Sequence, residues 1–236
     1  KKKKNNFKLI HSDLPALLSK LASENSIKQF IHVSALGIEK AKDSNYALSK
    51  LEGEKRVMQN FPNSVILKPS IVYSVDDQFT TTFMKLLSFL PIMPLYYNGK
   101  TKFTPIHVSD FSDIIFNVIK KKITKEVIEC VGPEVLTFKD IILKISKSIK
   151  KKRFLIPLPL FLANINAKIF QMMPNPLLTM DQLRLLKYDN IASGKYKTNI
   201  DLNMNANKKF EDEINNYSYN WSEGGQFSKK RYNEQK

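Results

Sequence analysis

The spacing of apolar positions changes several times along the first third of the chain. Between residues 14 and 25, Leu14, Leu17, Leu18, Leu21 and Ala22 recur at the three-and-four interval of one helix face. Asp13 is placed to cap that helix, with Pro15 just inside its start. Residues 28–34 form a short apolar run, Phe30-Ile31-His32-Val33, that ends at Ser34. It is apolar on both faces, as a buried parallel strand should be. Helical spacing returns over residues 44–61, and Ser64-Val65-Ile66-Leu67 reads as the next strand. Helix, strand, helix, strand with short connections predicts parallel βαβ construction.

After Lys68-Pro69-Ser70 the texture changes. Residues 77–90 predict a helix with Phe79, Phe83, Leu86, Leu87 and Leu90 on one side, as core or as a lid. Asp76-Asp77 would cap it, and Pro91 and Pro94 would end it. Residues 101–108 read as extended, Asp110 as the cap of a helix reaching 119, residues 126–131 as a strand and Gly132-Pro133 as a turn. Thr137 and Asp140 form a capping box, with Asp in place of the more usual Glu. The stretch FLIPLPL follows, then a helix around 162–170, a joint at Pro174 and Pro176, and helices over 179–187 and 210–219. From Ser222 onward the composition is that of a disordered end. The expected divisions are residues 1–135, 136–221 and a tail over 222–236.

Composition narrows the function classes. The chain has 236 residues, enough for one large or two small domains, and 42% of them are hydrophobic. Its 38 basic and 22 acidic residues give a net charge of +16. The lysines are scattered among asparagines rather than set among stacking aromatics, and few arginines are present to read bases, so nucleic acid is not an expected partner. The densest clusters, residues 1–4, 120–122 and 150–153, read as solvated faces or as contacts to an anionic membrane surface or acidic partner. Cys130 is the single cysteine, which excludes an intrachain disulfide and fits a reducing compartment. The longest apolar stretches are too short for a membrane span and are broken by Pro157 and Pro159. The first residues show no signal-peptide pattern. The chain begins with Lys, and its first element starts near residue 14, so it reads as a chain entered partway through.

Candidate chemistry gathers where the first strand meets the second helix. Tyr46 and Lys50 stand four residues apart and share a helix face beside Ser34. An ammonium beside a phenol favours the phenolate, which would fit Tyr46 for proton transfer near neutrality. The spacing alone is not specific: about one Tyr-x-x-x-Lys match is expected by chance in so lysine-rich a chain. Tyr96 and Lys100 supply a second, in a loop flanked by Pro and Gly. Two readings of Tyr46 and Lys50 stand: a catalytic or cofactor pair, or an amphipathic helix with a half-buried Tyr and a solvated Lys. His32 reads as a packed core residue and His107 as structural, and the histidines and Cys130 lack metal-ligand spacing. FLIPLPLF reads either as packed inside or, beside residues 150–153, as a contact to membrane or partner. The chain has seven glycines and no G-x-x-G-x-x-G or G-x-G-x-x-G phosphate loop.

Six segments in order resemble the extended or atypical short-chain dehydrogenase/reductase superfamily, of the NAD-dependent epimerase/dehydratase type. They are FIHVSALG, YALSKLEGE, ILKPSIVYSVDDQF, KTKFTPIHVSD, FLIPLPLF and LLTMDQLRLLKYDN. Within it the chain is most similar to the dehydrogenase-like accessory subunit of respiratory complex I and its bacterial relatives. The resemblance implies an α/β fold, a partial Rossmann-like doubly wound parallel sheet with a small, mainly helical C-terminal region. It implies NADP(H) or NAD(H) as cofactor and respiratory complex subunits at the membrane surface as partners. It implies a place in the cytoplasm or on the inner face of the bacterial membrane, the matrix side in a mitochondrion. Residue by residue, Tyr46 would face the nicotinamide, Lys50 would bind its ribose and lower the Tyr pKa, and Lys68, Pro69, Ser70 and Ile71 would lie against the nicotinamide end. Ser34 falls at the first of the family's two hydroxyl positions, and Ala35 replaces the second. Loss of that hydroxyl removes a donor to a developing oxyanion. An accessory protein with little or no turnover is therefore expected, with an active NAD(P)-dependent reductase or sugar-nucleotide epimerase/dehydratase using Tyr46 and Lys50 as the alternative.

Overall fold

Helical backbone begins earlier than the leucine spacing predicts. In the structure, a computed structural model that describes residues 7–159, 161 and 179–226, residue 7 is already helical. A π-helical turn over Leu9–Asp13 leads directly into α1 (Leu14–Glu24). Asp13 is itself helical and caps nothing; its carboxylate pairs with Arg56. The leucines do not face the core. Ser12, Ala16 and Ser19 are buried, while Leu14, Leu17, Leu18 and Leu21 stay exposed, Leu17 at 54%. The reason is the closeness of α2 (Asn45–Asn60), which buries Gly53. A Cβ on Gly53 would fall 1.9 Å from the His11 carbonyl oxygen. Backbones this near leave room only for small side chains at the seam.

The central sheet has four parallel strands in the order β1 (Ile31–Val33), β2 (Val65–Pro69), β7 (Glu126–Cys130) and β10 (Lys197–Thr198). β2 is buried throughout. Its Val65 and Leu67 pack with Ile114 and Val118 of α4 (Val108–Lys120). Lys68, facing the other way, meets Glu54 of α2. Helices thus cover both faces, and the doubly wound α/β arrangement with parallel strands is present. β1 departs from the two-sided burial expected of it: Val33 is exposed, and Ile31 and His32 are half-buried. The cause is its place at the margin of the sheet, where β2 is its sole strand partner among the described residues.

A second, larger core lies beyond β2. Tyr73 of β3 (Val72–Tyr73), Met84 and Leu87 of α3 (Thr80–Phe89), and Phe138, Ile141 and Ile145 of α5 (Phe138–Ser148) meet Phe210 and Ile214 of α7 (Phe210–Ser218). Three two-stranded sheets border it: β3 with β6 (Ile106–His107), β4 (Ile92–Leu95) with β9 (Phe154–Pro157), and antiparallel β5 (Lys102–Phe103) with β8 (Leu136–Thr137). α6 (Met180–Leu185) lies across the ends of the first loops.

Local signals at the helix starts are met. Ser44 caps α2 by accepting the Ala47 N–H, Asp77 accepts the N–H groups of Phe79 and Thr80 at 2.6 Å, and the Thr137/Asp140 box heads α5. Asp110 is a correction. α4 starts before it, capped by His107 Nδ1, and the Asp110 carboxylate instead accepts the distant Lys208 N–H at 2.9 Å. The FLIPLPL stretch is split between its two readings: Leu155 and Leu158 pack on the second core, while β9 leaves Phe154 and Ile156 exposed. The helix expected over 162–170, the joint at Pro174 and Pro176 and the tail past 226 lie outside the described residues. No helix among the described residues is long and apolar enough to cross a membrane.

The α1–α2 seam is directly testable. Gly53→Ala should lower unfolding stability by about 1–3 kcal/mol through overpacking, read as a lower denaturant midpoint beside a Lys55→Ala control. An unchanged midpoint would mean that the helices do not cross this closely.

Candidate functional site

The carboxyl ends of β1 and β2 are joined by backbone bonds that continue past the strands. Ser34 N–H donates to Leu67 O at 2.8 Å, Leu36 N–H to Pro69 O at 2.9 Å and Ser70 N–H to Cys130 O at 3.0 Å. This brings Ser34, Lys68, Pro69, Ser70 and Ile71 to one end of the sheet, the end where doubly wound folds bind ligands. α2 starts beside it and carries Tyr46 and Lys50.

Lys50 Nζ donates to Val33 O at 3.2 Å, so its ammonium stands over the end of β1. Burial lowers its pKa, with Glu54 acting in the opposite sense. The Tyr46 ring packs edge-on against His11 and Phe7, with centroids 5.1 and 6.0 Å away. Its hydroxyl does not behave as the ammonium-phenol pairing predicts. Burial, and then the Asp181 carboxylate, push the Tyr46 pKa above that of a free phenol. In this arrangement the phenol stays protonated at neutral pH.

Lys68 does not present its side chain to solvent. It is wholly buried, and its ammonium donates to Glu54 Oε2 at 3.0 Å and to Glu39. Burial opposes the charge, yet the two carboxylates hold the Lys68 pKa above the ordinary lysine value. Burial raises the Glu54 carboxyl, with Lys68 pulling the other way. The Ser34 hydroxyl is part of the same network and donates to Glu54 Oε1. The Tyr196 ring covers Lys68, with its centroid 5.4 Å from Nζ.

Two residues that sequence reasoning did not single out complete the site. Asp181 of α6 accepts the Ser44 hydroxyl at 2.7 Å, the Asn45 N–H at 2.8 Å and the Tyr46 N–H at 3.2 Å, so a carboxylate sits on the positive end of α2. Asn190 donates to Leu36 O at 2.6 Å and accepts the Ser70 hydroxyl at 2.5 Å, which ties together the loops after β1 and β2. Both lie in the segment LLTMDQLRLLKYDN. Its Thr179/Gln182 capping box signals a helix start, but nothing local signals which distant helix Asp181 will cap.

The remaining candidates are structural. His32 is pushed down to about 4 by burial and by the nearby Lys50 and His11, and its buried Nε2 has no hydrogen-bond partner among the described residues. His107 bonds Ser109 and lies 3.8 Å from Glu213. Burial pushes the Cys130 thiol up to about 12, which keeps it an unreactive thiol. No group of three metal-ligating side chains occurs among the described residues.

No family model matches the chain. Its sequence is 26% identical over 187 residues to the mouse mitochondrial NADH dehydrogenase [ubiquinone] 1 alpha subcomplex subunit 9, covering 78% of this chain and 50% of that protein. The Dictyostelium discoideum subunit of the same name is 31% identical over 114 residues, 48% of this chain and 32% of that protein. The 40 kDa subunit of Neurospora crassa NADH-ubiquinone oxidoreductase is 23% identical over 218 residues, 91% of this chain and 56% of that protein. The chain is similar to these respiratory complex I subunits. It spans about half the length of the mouse and Neurospora relatives. Its fold is shared with the dTDP-glucose 4,6-dehydratase of Streptomyces venezuelae, solved with NAD bound (TM-score 0.64, 15% identity, 92% of this chain and 66% of that one). The UDP-glucuronic acid 4-epimerase of Bacillus cereus, also solved with NAD, matches at TM-score 0.56 and 19% identity over 86% of this chain and 67% of that one. The resemblance read from the six segments is thereby borne out.

His32 gives the site a pH signature. Its folded pKa lies below the unfolded value of about 6.5, so the stability linked to its neutral form is present above that value and is lost as pH falls through about 4. Unfolding stability should drop by roughly 3 kcal/mol across that window, and His32→Leu should flatten that part of the profile. A His32→Leu profile parallel to the wild type would remove His32 as its source.

Proposed function

We propose that the chain is the nicotinamide-side part of a nucleotide-binding accessory or assembly protein of a respiratory NADH:quinone oxidoreductase, one that holds NADP(H) or NAD(H) with little or no turnover. The donor set suits that end of a dinucleotide. Lys50 would hydrogen-bond the ribose, Tyr46 would pack against the nicotinamide, and backbone groups of Lys68, Pro69, Ser70 and Ile71 would line its edge. Nothing in the sequence forms the glycine-rich turn that a pyrophosphate needs. A bound nicotinamide would supply hydride chemistry; what these residues supply is binding and orientation. Relatives in respiratory complex I support oxidoreductase subunits as partners and a peripheral place at the membrane, on the cytoplasmic or matrix side.

The observation that carries the reading is the Ser34–Glu54 hydrogen bond. Ser34 commits its proton to Glu54, and Ala35 has none to give. No hydroxyl from these two positions is left to polarise a substrate carbonyl, a loss on the order of 10²–10³ in rate for a single such donor. The raised Tyr46 pKa acts in the same direction. The protein, purified gently at its natural length and then denatured, should release stoichiometric nicotinamide nucleotide detectable by mass spectrometry. Tyr46→Phe should leave that stoichiometry intact. Release of no nucleotide would sink the binding reading.

The presence of Tyr46 and Lys50 on one helix, with the Lys50 ammonium at the end of β1, on a fold shared with epimerases and dehydratases, favours one alternative: an active NAD(P)-dependent reductase or sugar-nucleotide epimerase/dehydratase. In that case Tyr46→Phe abolishes a measurable turnover.

A further inference from the structure

A small sheet with one face in the core should be polar on the other. The β4–β9 pair is not. Met93 and Leu95 are buried on the inner face, and Leu155 packs on the same core. On the outer face Ile92 lies in register beside Phe154, and Pro94 beside Ile156. Three of these side chains are open to solvent, Phe154 at 75%, Ile92 at 48% and Ile156 at 47%, and Pro94 is half-buried. Phe89 and Leu90, at the end of α3 just before β4, are exposed as well.

Cations flank this apolar face. Lys150 and Lys152 are exposed immediately before β9. Arg153 anchors the turn, donating from Nε to Leu87 O at 2.6 Å and from a terminal nitrogen to Ser88 O at 3.4 Å. Lys144 and Lys147 are already paired with Glu211. The run at 150–152 is therefore the available charge. Positions 141–180 contain no acidic residue at all. Apolar tips beside a lysine run, with no acid near in sequence, complement an anionic lipid surface. There the tips enter the boundary between headgroups and chains while the ammonium groups meet phosphates.

We infer that the outer face of the β4–β9 sheet is a membrane-docking surface for anionic lipid, with Ile92, Phe154 and Ile156 as the inserted side chains and Lys150–Lys152 as the phosphate contacts. With no spanning helix among the described residues, the contact lies on the bilayer. It stands apart from the nucleotide site and does not depend on it.

The test is co-sedimentation of the full chain with vesicles of phosphatidylcholine alone or of an equal phosphatidylcholine and phosphatidylglycerol mixture. Binding to the mixed vesicles only, weakened by salt, is expected. Phe154→Ser with Ile156→Ser should weaken it about tenfold or more, and Lys150→Glu with Lys152→Glu by a similar factor. Both pairs replace side chains at the surface, and thermal melting checks that the fold is kept. Three outcomes overturn the proposal. One is no binding by the wild type. Another is binding that falls with the lysine variant but not with the apolar one, which is attraction by net charge alone. The third is a dimeric mass in solution without vesicles that Phe154→Ser with Ile156→Ser abolishes, which would give this face to a second copy.

Discussion

A buried ammonium sets the terms for the rest of this molecule. Lys68 lies near the end of β2 with its side chain out of water. An isolated charge in such a place would cost more than the net stability of a domain. It is tolerated because two carboxylates arrive with it, Glu54 from α2 and Glu39 from the loop after β1. Breaking one side of such a pair typically costs 3–5 kcal/mol, because it leaves the other charge uncompensated. The pairing therefore holds strand, loop and helix in one relative arrangement.

That arrangement decides what the neighbouring site can do. Ser34 is drawn into the network as a donor to Glu54, so a residue in a position suited to chemistry serves the scaffold. Asp181 occupies the positive end of α2 and adds a negative charge beside Tyr46. Asn190 fastens the loops after β1 and β2 to the C-terminal segment. The result is a rigid, well-bonded floor with an ammonium at its edge.

The surface shows a related division. Apolar side chains crowd two exposed places, the outer face of α1 and the outer face of the β4–β9 sheet. On α1 the cause is internal, because the tight crossing at Gly53 admits only small residues and turns the leucines outward. On β9 no such crossing exists, and the apolar face is accompanied by cations.

By itself the sequence determined what depends on near neighbours. Alternation of strand and helix spacing specified the parallel α/β plan. The caps at Asp77 and Thr137 were legible because each carboxylate or hydroxyl meets backbone two or three residues away. Six ordered segments carried the family likeness. Only the tertiary structure decided the rest. Periodicity reports that a helix has an apolar face, not which body that face will meet, so the leucines of α1 read as core and are exposed. Asp13 and Asp110 had the pattern of caps, but Arg56 and Lys208 offered partners that no local rule contains. Ser34 and Tyr46 were visible as candidates, yet their chemistry turns on Glu54 and Asp181. Electrostatics and hydrogen bonding act through space, and those carboxylates lie 20 and 135 residues away along the chain.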